Sequence, residues 1–206
     1  GLEEPSMGTV LIDGVDVSTA PPEKRHVGLV FQSNALFGHL RVEKNIAFGL
    51  RHLPKKERRD RVDEMLDLVK LGGLAHRYPH ELSGGEQQRI ALARALAPQP
   101  PVVLLDEPYG ALDEVLREEL GWEVKEILSR RHTAAILVTH DRHEAITLGD
   151  RVAVMDGGQI LQCDAPRTVY DEPANRFVAD FLAVSSYLST AEGEETLVRP
   201  HQLRVS

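Results

Sequence analysis

Val102-Val103-Leu104-Leu105-Asp106-Glu107-Pro108 is an apolar run closed by two carboxylates and a proline. A short continuous apolar run rich in β-branched residues reads as a strand covered on both faces, as in a parallel sheet. Ligands in open α/β sheets gather beyond the carboxyl ends of the strands, which is where Asp106 and Glu107 stand. One acid there can hold Mg2+ through water, and a second can orient or deprotonate an attacking water. Alone, the Asp-Glu-Pro string is equally a polar strand end before a turn.

Upstream lies Leu82-Ser83-Gly84-Gly85-Glu86-Gln87-Gln88-Arg89. Ser83 followed three residues later by Glu86 is a capping box, which fixes a helix start. The helix is expected from Ser83 to Ala97, with Pro98 beyond it. The glycines let another molecule approach the backbone, and free amides with the positive helix end favour an anion. Ser83, Gly84, Gly85 and Glu86 are therefore candidate anion contacts. A plain capped helix is the bland reading of the same residues.

Further upstream, Pro54 to Leu71 is expected to be helical, with Val62, Met65, Leu66 and Val69 on one face and Gly72-Gly73 as its stop. The basic run Lys55 to Arg61 reads as a solvated face. His26 to Phe31 is a short strand ending at Gln32, whose amide oxygen could touch a metal ion or water. Gly8 to Val17 alternates around Asp13-Gly14, a hairpin signal.

Downstream, Asp113 precedes a helix expected to run to Arg131, and an acid there can simply cap it. Ala134 to Thr139 reads as another buried strand. It ends at His140, placed to donate a hydrogen bond to a phosphate oxygen, although any one of nine histidines is more commonly structural. A helix from Arg142 to Leu148 and a hairpin around Asp156-Gly157-Gly158 follow. Thr168 to Ala183 is a closing helical segment, Ser185 to Glu195 a linker, and Leu197 to Ser206 the first strand of something further. Strands alternating with helices imply an α/β domain with a largely parallel sheet.

Composition narrows the function. The 206 residues carry 42% hydrophobic and 27% charged side chains, ordinary for a globular domain. A net charge of −8 argues against nucleic acid as a partner. The single cysteine, Cys163, excludes an internal disulfide and a Cys-rich metal site, and fits a reducing, cytosolic compartment. No apolar run approaches the ~18 residues of a membrane span. Gly1 to Ser6 has two acids and no hydrophobic stretch, so no secretory leader is expected.

Taken in order, Gln32, the LSGGE string, the strand into Asp106-Glu107, Asp113 and His140 resemble the nucleotide-binding subunit of an ABC transporter, over almost the whole chain. The resemblance implies a P-loop NTPase-like fold, with an ATPase domain over 1–183, a helical signature subdomain at about 40–97, and a linker into a regulatory β-domain over 184–206. It also implies ATP and Mg2+. Asp106 would be the Mg2+ aspartate, joined by Gln32, and Glu107 the general base. His140 would be the γ-phosphate switch, and Asp113 the interface-loop aspartate. Ser83, Gly84, Gly85 and Glu86 would meet the ATP held by the opposite protomer of a homodimer. Gln32 and Phe37 to Gly49 match the loop that contacts integral membrane permease subunits. The implied location is the cytoplasmic face of the cell membrane, with an extracytoplasmic solute-binding protein as an indirect partner.

Val152 to Ile160, Pro166, Tyr170, Pro173-Ala174-Asn175 and Phe177-Val178-Ala179 resemble importers of ferric iron, sulfate, molybdate, polyamines or sugars. Leu197-Val198-Arg199-Pro200 resembles entry into their β-barrel regulatory domain, and the short gap after Phe181 leans towards ferric iron or another inorganic ion.

The phosphate loop G-x-x-x-x-G-K-[ST] is not in the chain, which has no Gly-Lys pair. The expectation is that the chain starts just after this loop, lacks the first core strand, the loop and its helix, and alone neither binds ATP tightly nor hydrolyses it. The missing strand is expected to expose the sheet edge beside the Asp106 strand. Tyr109 stands in place of a usual phenylalanine, and Gly38 of a frequent proline. Two other classes are open: a truncated, non-catalytic docking or dimerisation module, and an ABC-type DNA-repair ATPase. The latter conflicts with the acidic charge and the lack of a sustained heptad pattern.

Overall fold

The computed structural model describes residues 3–110, 112–182, 186–189 and 195–198. They fall into two compact units, Gly1–Val138 and Thr139–Ser206.

The first unit opens with the expected hairpin, reduced to β1 (Leu11–Ile12) and β2 (Val15–Asp16). Asp13 and Gly14 both have positive φ, at 50° and 76°, the pattern of a type I′ turn. A parallel sheet follows, β3 (Val27–Val30), β4 (Val102–Asp106) and β5 (Ala134–Val138), in that spatial order. Parallel neighbours need helical crossovers, and two stretches supply them. Between β3 and β4 run α1 (Val42–Ile46), α2 (Lys55–Leu68) and α3 (Gly84–Leu96). Between β4 and β5 runs α4 (Glu114–Arg130).

Two expectations about the sheet are corrected. The Asp106 strand is not itself left at an edge: β4 is central, with Val30 in register with Leu105 on one side and Val138 with Asp106 on the other. The edges are β3 and β5, neither of which is joined by a further strand among the described residues. Nor is β5 buried, for Ile136 and Val138 are 57% and 55% exposed. An apolar run records what a strand needs covered, not what covers it. On β4 itself Val103 and Leu105 are buried while Val102 and Leu104 are half-buried.

Val62, Met65, Leu66 and Val69 of the α2 region are all buried, as their spacing requires. The helix stops before Gly72-Gly73. Lys70 takes the left-handed position at φ 58°, with Lys70 N–H donating to Asp67 O and Leu71 N–H to Leu66 O. This is a Schellman ending with lysine where glycine is usual. In α1 the polar Asn45 is fully buried beside Val42 and Ile46. Its Oδ1 accepts from Phe37 N–H at 2.8 Å, and its Nδ2 donates to the carbonyls of Phe37, Leu40 and Arg41 at 3.1, 3.0 and 3.3 Å. One side chain thus ties the loop after Gln32 to the helical region.

In the second unit, α5 (Arg142–Leu148) precedes the hairpin β6 (Val152–Asp156) and β7 (Gln159–Asp164), with Gly157 and Gly158 at φ 52° and 80°. The closing segment is two helices, α6 (Pro166–Asp171) and α7 (Arg176–Leu182). Pro173 separates them, and Asn175 Oδ1 caps the second by accepting from Val178 N–H at 3.0 Å. Val152, Val154, Val169, Val178 and Leu182 form the core. The linker expected at 185–195 is corrected in part: Ser186–Ser189 is a strand, β8, antiparallel to β9 (Glu195–Val198). The strand expected at 197–206 lies beyond Val198 outside the described residues.

Candidate functional site

β3 and β4 deliver Gln32 and Glu107 to the same end of the sheet. Gln32 Nε2 donates to Glu107 Oε2 at 2.8 Å, joining residues far apart in sequence. Glu107 has φ 41°, a conformation L side chains rarely adopt, and its N–H is held by Val138 O at 2.8 Å. Such strain persists only where the surroundings impose it, and it gathers at functional positions. Glu107 as a residue is half-buried and Asp106 is exposed.

Gly110 was not singled out by the sequence. A Cβ there would lie 3.6 Å from Glu107 O and 3.8 Å from both Gln32 Nε2 and Glu107 Oε2, in ordinary contact with the pair, so Gly110 lines it without being required by space. The signal available was its place three residues beyond Glu107, at the exposed end of the same turn.

The residues fit Mg2+ by the chemistry of their donors. A hard cation takes oxygen ligands and usually keeps one or two carboxylates, with phosphates and water filling the rest. Asp106 and the Gln32 amide are such donors. Among the described residues no group of three or more His, Cys, Asp or Glu side chains forms a metal cage. The arrangement suits an ion shared with a phosphate ligand.

Ser83 caps α3 as expected. Glu86 Oε2 accepts from Ser83 N–H and from Ser83 Oγ–H, each at 2.8 Å, and Glu86 N–H donates back to Ser83 Oγ at 3.4 Å. Gly84 is exposed, but Gly85 is buried. A Cβ on Gly85 would meet Leu120 Cδ1 at 3.3 Å and Leu116 Cδ2 at 3.6 Å, so this glycine serves close packing of α3 on α4. Asp113 Oδ1 accepts from Leu116 N–H at 3.0 Å and caps α4.

The hydrogen bonds from the Ser83 amide and hydroxyl hold the Glu86 carboxyl below its ordinary range. A carboxylate depressed on folding adds stability above its unfolded pKa, near 4.3, and that stability is lost as pH falls through the lower native value. Glu86→Gln cannot titrate. The melting temperature of the wild-type protein is expected to exceed that of E86Q near neutral pH, and the gap to close on acidification below about pH 4.3. Thermal melts of both across that range check this.

His140 and Asp141 open the second unit. Asp141 Oδ1 accepts from His143 N–H and Glu144 N–H at 2.8 and 3.3 Å, capping α5. Thr139 Oγ1 hydrogen-bonds Glu144 Oε2 at 2.5 Å. This fixes the backbone on both sides of His140.

A central parallel strand ending in two acids, with a glutamine from its neighbour on the second, defines a nucleotide-type α/β domain. The chain belongs to the ABC transporter family, whose model matches residues 1–110. It is 50% identical over 207 residues to the sulfate/thiosulfate import ATP-binding protein CysA of Mycobacterium tuberculosis, covering 100% of this chain and 58% of the relative. It is 52% identical over 193 residues to the spermidine/putrescine import ATP-binding protein PotA of Mesorhizobium japonicum, covering 93% and 53%. The chain therefore spans about half the length of these curated relatives. Among solved structures it resembles the ATP-binding cassette MJ0796, a dimer bound to ADP and Pi, with TM-score 0.68 and 31% identity over 81% of this chain and 76% of that one. It also resembles cbiO1 from Clostridium perfringens, part of the cbiONQ transporter complex, with TM-score 0.76 and 30% identity over 84% and 72%. The fold is that of an ABC ATPase cassette.

Proposed function

We propose that the protein carrying this chain is the ATP-binding subunit of an ABC importer. It works as a homodimer on integral membrane permease subunits at the cytoplasmic face of the membrane, with an extracytoplasmic solute-binding protein delivering the solute. The observation that carries this is the Gln32–Glu107 hydrogen bond at 2.8 Å beside Asp106. The chain spans about half the length of its curated relatives, so the activity is proposed of the whole protein. The names of the relatives support sulfate, an inorganic ion, or a polyamine as solute; they lend ferric iron no support.

Phosphoryl transfer requires positioning and charge stabilisation above all. Glu107 takes the proton of the attacking water, and Gln32 holds the carboxylate in place for it. The water oxygen bonds to the γ-phosphorus, the bond to the β–γ bridging oxygen breaks, and ADP and phosphate leave. Asp106 and Gln32 would hold Mg2+, which would neutralise triphosphate charge. The Ser83–Gly84–Gly85 turn, with Glu86 fixing it, meets the nucleotide held by the partner. Asp113 stands at the interface between protomers. His140 takes the γ-phosphate contact on the resemblance alone.

The composite site has a direct test. Full-length Ser83→Arg and Glu107→Gln proteins are each expected to be inactive. Mixed and re-paired, a heterodimer holds one site with an intact glutamate facing an intact serine, and ATPase activity should return. If both residues served the same nucleotide within one chain, mixing would restore nothing, and the proposal would fail.

A further inference from the structure

We propose that Arg94 is a positioning residue that couples the Ser83 turn to the Gln32–Glu107 pair through the backbone of the intervening loop. The proposal rests on the ATPase reading above for its catalytic consequence.

Arg94 lies in the last turn of α3, the helix that Ser83 caps. The two residues are separated by about 16 Å of helix at 1.5 Å per residue. From there Arg94 Nη1 donates to Ala35 O at 2.6 Å and Nη2 to Asn34 O at 3.0 Å. Its guanidinium also lies 5.3 Å from the centre of the Phe37 ring. Among the described residues it has no carboxylate partner. Burial accordingly pulls its pKa down. A half-desolvated cation held only by carbonyls and an aromatic face is costly. The planar fork of arginine, which lysine lacks, suits two adjacent carbonyls.

The backbone it grips is itself strained. Asn34 and Ala35 have φ of 58° and 44°, consecutive left-handed positions in residues other than glycine. Buried Asn34 Oδ1 has no hydrogen-bond donor among the described residues. Buried polar groups are normally satisfied, and a loop carrying both features is held by its surroundings. Asn34 N–H donates to Phe31 O at 2.8 Å, closing a turn that contains Gln32, whose amide reaches Glu107, so only Ser33 separates the gripped pair from Gln32. Asn45 anchors the other end at Phe37.

Every link from Ser83 to Glu107 is thus helix, hydrogen bond or covalent chain. Ser83 meets the nucleotide of one site while Glu107 serves the other site of the dimer. Arg94 therefore ties the two sites together: occupancy sensed at one turn is felt by the base of the other.

Two measurements on the full-length protein test this. In a cycle with Gln32→Ala, Arg94→Met is expected to lower kcat on the order of tenfold, within the range of coupled neighbours, with KM for ATP held within about twofold. In the Gln32→Ala background the same change should cost less than about twofold. Equal factors in both backgrounds would mean a merely structural arginine and would overturn the proposal. Amide hydrogen exchange needs no activity. Arg94→Met should speed exchange at Asn34 and Phe37 on the order of tenfold while α3 is unchanged. Faster exchange throughout α3, or none in the loop, would also overturn it. Arg94→Lys, which keeps the charge without the fork, should give an intermediate loop effect and stands in if the methionine variant does not fold. A wild-type protein without ATPase activity would sink the function reading, leaving the exchange result to decide the clamp.

Discussion

Glu107→Gln in the full-length protein is expected to lower the rate of ATP hydrolysis by about a hundred- to ten-thousand-fold, the usual contribution of a general base. The amide is nearly isosteric, so folding and nucleotide affinity should survive; single-turnover kinetics with a binding titration separate the two. The reason lies in the position of the carboxylate. It sits at the tip of the central strand, is strained at φ 41°, and is held by Gln32 at 2.8 Å. A variant that still turned over within a few-fold of wild type would place the base elsewhere.

The second large effect is one of stability. Asn45 is fully buried and satisfies both an N–H and carbonyls of the loop from Phe37 to Arg41. Asn45→Ala orphans the Phe37 amide and the Leu40 carbonyl, at about 1–3 kcal/mol for each unsatisfied group. Asn45→Asp should be worse despite its matching shape, because a carboxylate would face three carbonyl oxygens. A loss of about 2–4 kcal/mol for alanine, and more for aspartate, is expected from urea denaturation. Equal stability of the Asn and Asp proteins at neutral pH would contradict the geometry.

Local chemistry made much of this molecule readable in its sequence. The Ser83–Glu86 box needs only four consecutive residues, and α3 starts where it says. Arg142 to Leu148 is a helix with the bounds expected, and Asp141 caps it. The hairpin turns at Asp13-Gly14 and Gly157-Gly158 follow from residues that tolerate positive φ. Long-range pairing was not readable. Nothing near Gln32 says that its amide meets Glu107. The strand order that puts β4 in the middle is likewise a property of the sheet. α2 ended early, with Lys70 in the left-handed position that sequence assigns to glycine. Arg94 did leave a trace, a lone polar residue within the apolar run Ile90 to Ala97, whereas Asn45 follows Glu43 and Lys44 and shares the buried face of α1 only with Val42 and Ile46. A polar side chain on an apolar face needs a partner, and in both cases the partner is the loop after Gln32.

Ile136 and Val138 have a practical consequence for anyone handling residues 1–206 by themselves. The outer rim of β5, which no further strand joins among the described residues, lies beside exposed apolar side chains, the combination onto which stray extended peptides zip. Solutions of that chain should grow cloudy with concentration, through strand capture between molecules with no unfolding at all.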